Sequence, residues 1–538
     1  MSYSRLRRGT LVAFAALLLA SLLAGGGWAP AIATATTPSA VTLRVMTLNI
    51  FYGGDEIDLH TGSWCHHPSG CPETLAKVVE AIRASGADVV GLEEGEHSTR
   101  AIADALGWYG SERTQVVSRY PIVDPPGANG IYVWIEVAPG RIVAIGNVHL
   151  PSDPYGPYEI RDGATLADVL ALERSTRLPA IADQLAVLPG LAAGGIPVFL
   201  TGDFNSPSHL DWTAAVAAIR PDVPFPVDWP VSRALATAGF RDSYRAVHPD
   251  PAAIPGFTWT PGGPESDPRE VHDRIDWVLA MGPVTATASG VVGEAGGPDV
   301  AYSVTPWPTD HRGVVSTFRV TPAVPAPFAA VDARRVVVGE PLGVRYHAAG
   351  GTGQRLAIVP AGQGPSAAVA SRPVGPPAAV DGRVTFATAT LTPGAYDALL
   401  VAASGTVRSR SSFWLYPPGT PTRVATSKSV YLVGEPIDVT WSNAPGMRWD
   451  WLSVYVPGSS DGSKVAEGCN AGCSSNSRYL MYVYTKTAIE GAARIDANAV
   501  PGTYAWPLKP GSYEIRLLVD DSYRTAGSSA SFQVIKSR

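Results

Sequence analysis

Helix-like periodicity runs from residue 41 to about residue 320 and then stops, and this change of texture divides the chain. Before it, apolar strand-like runs alternate with helix-like segments at 73–85 and 166–188. After it come short alternating strands with Gly, Pro and Ser turns, the pattern of β-sandwiches. The change falls at Thr321-Pro322-Ala323-Val324-Pro325-Ala326-Pro327, a Pro/Ala spacer of the kind that separates domains. A chain of 538 residues is expected to hold several domains. Residues 41–320 are read as one self-contained unit, 321–327 as linker, and 328–418 and 419–538 as two sandwiches.

The two sandwiches are read from an internal repeat. Val336-Val337-Val338-Gly339-Glu340-Pro341 recurs as Tyr431-Leu432-Val433-Gly434-Glu435-Pro436, and Leu391-Thr392-Pro393-Gly394-Ala395-Tyr396 recurs as Leu508-Lys509-Pro510-Gly511-Ser512-Tyr513. Each copy has roughly the size of an immunoglobulin-like sandwich. The second copy is longer and contains Trp441, Trp449 and Trp451. Exposed, these rings would bind a glycan or cell-surface polymer; buried, they are sandwich packing.

The N-terminus reads as an address. Arg5, Arg7 and Arg8 precede an apolar stretch at 11–24, followed by Gly25-Gly26-Gly27 and the small residues Ala31-Ile32-Ala33. That order is a secretory signal peptide over residues 1–33, with an uncleaved anchor as the alternative. A secreted protein, extracellular or cell-surface associated, is expected, and a monomer. The four cysteines fall in two local pairs, Cys65 with Cys71 and Cys469 with Cys473. In an oxidising compartment such pairs are disulfides. Cys65 and Cys71 flank His66 and His67, which leaves a small metal site as the other reading.

Composition narrows the function. Apolar residues make up 46% and charged residues 16%, as in a folded protein. A net charge of −6 gives no basic footprint for tight non-specific nucleic-acid binding, which leaves open an enzyme that reaches phosphates through a metal ion.

Within 41–320, six strand-like runs carry polar residues at one end. They hold Asn49, then Glu93 and Glu94, then Asn147 and His149, then Asp203 and Asn205, then Asp276, and finally Asp310 and His311. Side chains alternate along a strand, so Asp203 and Asn205 point one way while Phe204 points back into the protein. One such end is ordinary turn chemistry. Six are not.

The phrases Thr-Leu-Asn, Leu-Glu-Glu, Val-His-Leu, Gly-Asp-Phe-Asn, Arg-Ile-Asp and Asp-His, with Ser118-Arg119-Tyr120-Pro121-Ile122, resemble the endonuclease/exonuclease/phosphatase superfamily over residues 43 to about 318. The resemblance implies an α/β four-layer sandwich, two mostly antiparallel sheets flanked by helices, followed here by the two all-β immunoglobulin-like sandwiches. It implies a Mg²⁺ ion, or another hard divalent cation such as Mn²⁺ or Ca²⁺, held by Asn49 and Glu94 with Asp310 close by, and Glu93 as a competing ligand. It implies His311, oriented by Asp276, as a base or phosphate contact. Asp203 would align or deprotonate the attacking water, Asn205 would hold a phosphate oxygen, and His149 would stabilise negative charge. Three classes of function follow: a secreted phosphodiesterase of nuclease type, a sphingomyelinase-like or phosphatase-like hydrolase of a lipid or small phosphate ester, and a non-catalytic surface-binding protein. Arg119, Arg161 and Arg269 are the candidate phosphate contacts. The aromatic loop 151–158 either contacts the substrate or packs on the surface.

Overall fold

The computed structural model describes residues 39–536, apart from 66–69, 262, 265–266, 349–351, 376–381, 460–478, 503 and 505. The signal-like leader, Cys469 and Cys473 therefore lie outside the described residues. No helix among the described residues is long and apolar enough to cross a membrane.

Two sheets carry the first part of the chain. One runs, edge to edge, through Val300–Val304, Val284–Glu294, Gly313–Val320, Val41–Asn49, Val89–Glu93, Val116–Ser118 and Tyr109–Ser111. The other runs through Arg241–Asp242, Asp276–Met281, Val198–Asp203, Arg141–His149, Val133–Ala138 and Ile122–Val123. Neighbours are mostly antiparallel, as expected, with parallel pairs where Val41–Asn49 meets Val89–Glu93, where Val284–Glu294 meets Val300–Val304 and where Val198–Asp203 meets Arg141–His149.

Period-two alternation builds the layers. Leu43 and Val45 face inward, where they join Phe199 and Val278 of the other sheet, and the Phe199 and Phe318 rings lie 4.9 Å apart. Met46 and Leu48 face outward onto Val78 and Ile82 of the helix Pro72–Ser85. That helix starts on a proline and ends at Gly86, whose left-handed backbone donates its N–H to the Arg83 carbonyl. On the second sheet Leu200 and Leu279 face outward onto Leu188 and Leu235 of the helices Ala182–Ala193 and Pro230–Ala238. Each such burial stabilises by about 1.5–3 kcal/mol. The result is helix, sheet, sheet, helix.

Two β-rich units follow, each of two sheets. In the first, Phe328–Val331, Leu342–His347 and Gly382–Phe386 form the smaller sheet and a five-stranded sheet centred on Gly394–Val401 forms the larger. In the second, Arg423–Thr426, Ile437–Ser442 and Gly491–Ile495 form one sheet, and Gly511–Leu518 pairs with Trp451–Tyr455 in the other. The repeated sequence has a local cause. Glu340 and Glu435 each accept the backbone N–H three residues earlier, at Val337 and Leu432, across the turn at Gly339 and Gly434. Tyr396 and Tyr513 each donate to the carbonyl four residues earlier, at 2.7 and 2.8 Å.

Two of the open readings acquire a geometry. Trp441, Trp449 and Trp451 are all buried, the alternative in which the sandwich uses them for packing. The 321–327 spacer also lies against the first part of the chain. Ala323 and Ile142 exchange backbone hydrogen bonds at 3.0 and 2.9 Å, and Phe328 packs on Trp134 at 5.2 Å between ring centres. The described residues from 40 onward accordingly form one compact unit.

Candidate active site

Strand register decides which polar side chains meet. Asp203 ends its strand opposite His149 on one side and Asp276 on the other. In the facing sheet Asn49 lies opposite Glu93. All these positions fall at one end of the two sheets, where the six polar strand ends converge.

Each motif then acquires a geometry. Phe204 turns back as expected and stacks on Trp277 at 4.2 Å. Asn205 enters the left-handed region and folds onto its neighbour: its N–H donates to Asp203 Oδ1 at 2.8 Å and its Nδ2 to Asp203 Oδ2 at 3.2 Å. His311 Nδ1 meets Asp276 Oδ2 at 3.0 Å and its Nε2 lies 3.7 Å from Asp203 Oδ2. His149 Nε2 lies 3.7 Å from the same Asp203 oxygen, so Asp203 sits between two imidazoles.

Glu93 and Glu94 part company. Glu93 is fully buried and accepts from Thr47 Oγ1, while Glu94 takes a left-handed backbone that swings it into the cleft. There it accepts the Tyr52 N–H at 2.7 Å and Asn49 Nδ2 at 3.1 Å. Glu93 as a competing ligand is thus corrected to a carboxyl packed inside the sandwich, which burial, with Asp276 and Asp203 nearby, keeps well above the usual carboxylate range.

Glu94, His149, Asp203, Asn205, Asp310 and His311 line one cleft of about 570 Å³. The loop after His149 contributes Pro151, Asp153, Tyr155 and Tyr158, which settles it as a wall of the cleft. Arg119, Arg161 and Arg269 do not line it. They pair instead with Asp88, Asp162 and Asp267. The Cys65–Cys71 disulfide forms, and Trp64 beside it packs on Phe51 and Tyr52 of the rim at 5.4 and 5.3 Å.

Electrostatics follow from crowding. Burial, opposed by His311 and reinforced by Glu94, pushes Asp310 up to about 7. Burial also raises Asp203, against the two imidazoles beside it. Burial would lower His149, yet Asp521, Asp203 and Glu94 outweigh it and push the ring up to about 10. Asp276 and Asp203 hold His311 well above its usual value against the same penalty.

This surplus of buried negative charge fits a hard divalent cation, whose ligands are oxygens. Glu94 and Asp310 are the carboxylates that would hold it. Asn49 is turned otherwise: its amide nitrogen bridges Glu94 and Asp203 at 3.1 Å each, and its oxygen accepts the Phe51 N–H. It becomes a ligand only with the amide reversed. Asp203, Asp276 and His311 also bring ligand atoms within 4.8 Å of one another, although His311 and Asp276 already bond each other.

Residues 46–311 match the model of the Endonuclease/Exonuclease/phosphatase family. This part of the chain belongs to that family. An uncharacterized protein of Caenorhabditis elegans is 28% identical over 306 residues, which span 51% of this chain and 91% of that protein. Among solved structures, an endonuclease/exonuclease/phosphatase from Beutenbergia cavernae is similar at 19% identity, over 70% of this chain and 100% of its own, with a TM-score of 0.32. An AP endonuclease from Archaeoglobus fulgidus is similar at 15% identity, over 51% and 98%, with a TM-score of 0.32. Members of the Endonuclease/Exonuclease/phosphatase family share the phosphoesterase chemistry that these acids and imidazoles suit.

The structure gathers Asn49, Glu94, His149, Asp203, Asn205, Asp276, Asp310 and His311 at one place. It adds what the sequence did not announce. Asp521, Trp451, Tyr479, Tyr482, Tyr484 and Tyr523 of the second sandwich line the same cleft. Asp520-Asp521-Ser522 reads in sequence as a hairpin turn, and no spacing rule ties it to His149.

Proposed function

We propose that the protein is a divalent-metal-dependent phosphodiesterase, with Mg²⁺ as the natural ion. The carrying observation is Asp203 held between His149 and His311 beside the Glu94–Asp310 carboxylates. Bound at those carboxylates, the ion would supply Lewis-acid stabilisation of a phosphoryl oxygen. The chain's own residues do the rest. Asp203 accepts a hydrogen bond from the attacking water and aims it. Asn205 stiffens that carboxylate through its own N–H. His149, cationic at neutral pH, presents Nε2–H where charge develops on the phosphate. His311 shares its Nδ1 proton with Asp276 and keeps Nε2 toward Asp203. The signal-like N-terminus supports an exported enzyme.

A second observation favours a small or lipid-headgroup diester over nucleic acid. Six carboxylates and no lysine or arginine occur among the described residues lining the cleft. A polyanionic strand gains most from lysine and arginine contacts along its phosphates, and the described lining offers only the two imidazoles His149 and His311. The test is a panel of DNA, RNA, sphingomyelin and bis-nitrophenyl phosphate, each with Mg²⁺ and after exhaustive chelation. Turnover of the small diester or sphingomyelin, abolished by chelation, is expected. Turnover that survives chelation, or none on any ester, overturns the reading, and preferential hydrolysis of DNA or RNA overturns the substrate choice.

A further inference from the structure

The second β-sandwich reaches the catalytic cleft through one turn. Asp520 and Asp521, both in the left-handed region at φ 52° and 64°, form the corner between Gly511–Leu518 and Thr525–Ser528. Consecutive non-glycine residues in that region are uncommon and persist where surroundings hold them. Here the surroundings are specific. The Asp520 N–H donates to Asp450 Oδ1 and the Asp521 N–H to the Trp449 carbonyl, both at 3.0 Å. Asp520 Oδ1 accepts from Gln115 Nε2 at 3.0 Å, and Gln115 Oε1 accepts the N–H of Gly95, the residue after Glu94. The Arg448 N–H donates to the Arg113 carbonyl at 2.9 Å, and Arg448 and Lys486 both approach Asp183. The corner is thus fixed against the first domain from several sides.

Its consequence is a contact between residues 372 apart in sequence: His149 Nδ1 meets Asp521 Oδ2 at 2.9 Å, with both side chains largely buried. That bond uses one ring nitrogen and leaves Nε2 facing Asp203 and Glu94 at 3.7 and 3.9 Å. An imidazole held at one nitrogen has its ring plane, and so the direction of its other N–H, set by that partner. Around the corner, Trp451, Tyr479, Tyr482 and Tyr523 pack ring on ring and close one side of the cleft.

We propose that the second sandwich is part of the active site, with Asp521 the positioning residue that orients His149 toward the scissile phosphate. The proposal rests on the phosphodiesterase reading for its kinetic consequence and on geometry alone for the contact. Asp521 touches no reacting atom. It acts through His149.

The test uses the full-length protein with Asp521→Ala, Asp521→Asn, His149→Ala and the double variant His149→Ala with Asp521→Ala, on bis-nitrophenyl phosphate with Mg²⁺. Removing the partner of a functional histidine costs about 10- to 100-fold. Asp521→Ala is expected to lower kcat by that factor with KM nearly unchanged, and Asp521→Asn, which keeps an acceptor, to lower it less. In the double variant kcat should match that of His149→Ala alone, because a residue acting through His149 has nothing left to orient. An Asp521→Ala enzyme within about two-fold of the parent, or losses that multiply in the double variant, overturns the proposal. A general loss of folding would add to the His149→Ala loss rather than vanish into it. Should Asp521→Ala not fold, Asp521→Asn carries the cycle. Should no ester be hydrolysed, histidine NMR still reads the contact: a hydrogen-bonded His149 Nδ1 proton must move in Asp521→Asn, and a spectrum identical to the parent overturns the contact.

Discussion

At the scale of single residues, neighbours decide what each acid and imidazole can do. Asp203→Asn and His311→Ala are each expected to lower turnover by about 10²-fold or more while the protein stays folded. Steady-state rates beside a denaturation curve check this, and near-normal rates in either would misplace the site. Asp273 makes a different point. It is buried, accepts from Trp212 Nε1 and Tyr155 Oη at 2.7 and 3.0 Å, and is pushed by burial, against the pull of Arg220, up to about 7. A carboxyl raised from 3.8 to about 7 on folding contributes stability that is complete below 3.8 and lost as pH rises to about 7. Asp273→Asn is therefore expected to gain on the parent as pH rises across that window, measured by urea unfolding at pH 4.5 and 7.5. An unchanged difference between the two would show an ordinary aspartate. The residue types that meet in the cleft were legible because six polar strand ends are too many for turns. Amide and carboxyl orientations were not: the Glu94 carboxylate and the Asn49 amide oxygen are held by the backbone N–H groups of Tyr52 and Phe51, which no motif encodes.

At the scale of elements, alternation carried the reading. Val198–Asp203 sends Phe199 inward, Leu200 and Phe204 outward, and ends its inward row on Asp203. Phe204 therefore anchors the strand end from behind, fully buried and stacked on Trp277. Phe204→Ala is expected to cost about 3–5 kcal/mol through the cavity it leaves. A thermal midpoint within a degree or two of the parent would show that the strand end stands without it. Strand existence and facing were legible since both follow from a period of two. Strand order was not. That His149 and Asp276 flank Asp203 is a matter of which strands pair, and pairing depends on contacts far apart in sequence.

At the scale of the whole molecule, the later units dock on the first. A Pro/Ala run between two textures implies a free-standing first domain, yet Ala323 pairs with Ile142, Arg334 lies 3.2 Å from Asp124, and Asp520 and Asp521 reach back to Gln115 and His149. Composition reports the local chain and is silent on where a later domain docks. A chain ending at Pro322 is thus expected to lose about 10-fold or more in kcat on bis-nitrophenyl phosphate and to unfold at lower urea than the full-length protein. Full activity and unchanged stability would restore the self-contained reading. The His149–Asp521 contact also bears on timing. Ribosomes deliver a chain from its N-terminus, so Asn49, Glu94, His149, Asp203 and His311 are all made and free to fold well before residue 521 exists. On the proposed role of Asp521, a product cut short before that residue carries Asn49, Glu94, His149, Asp203 and His311 without the carboxylate that orients one of them.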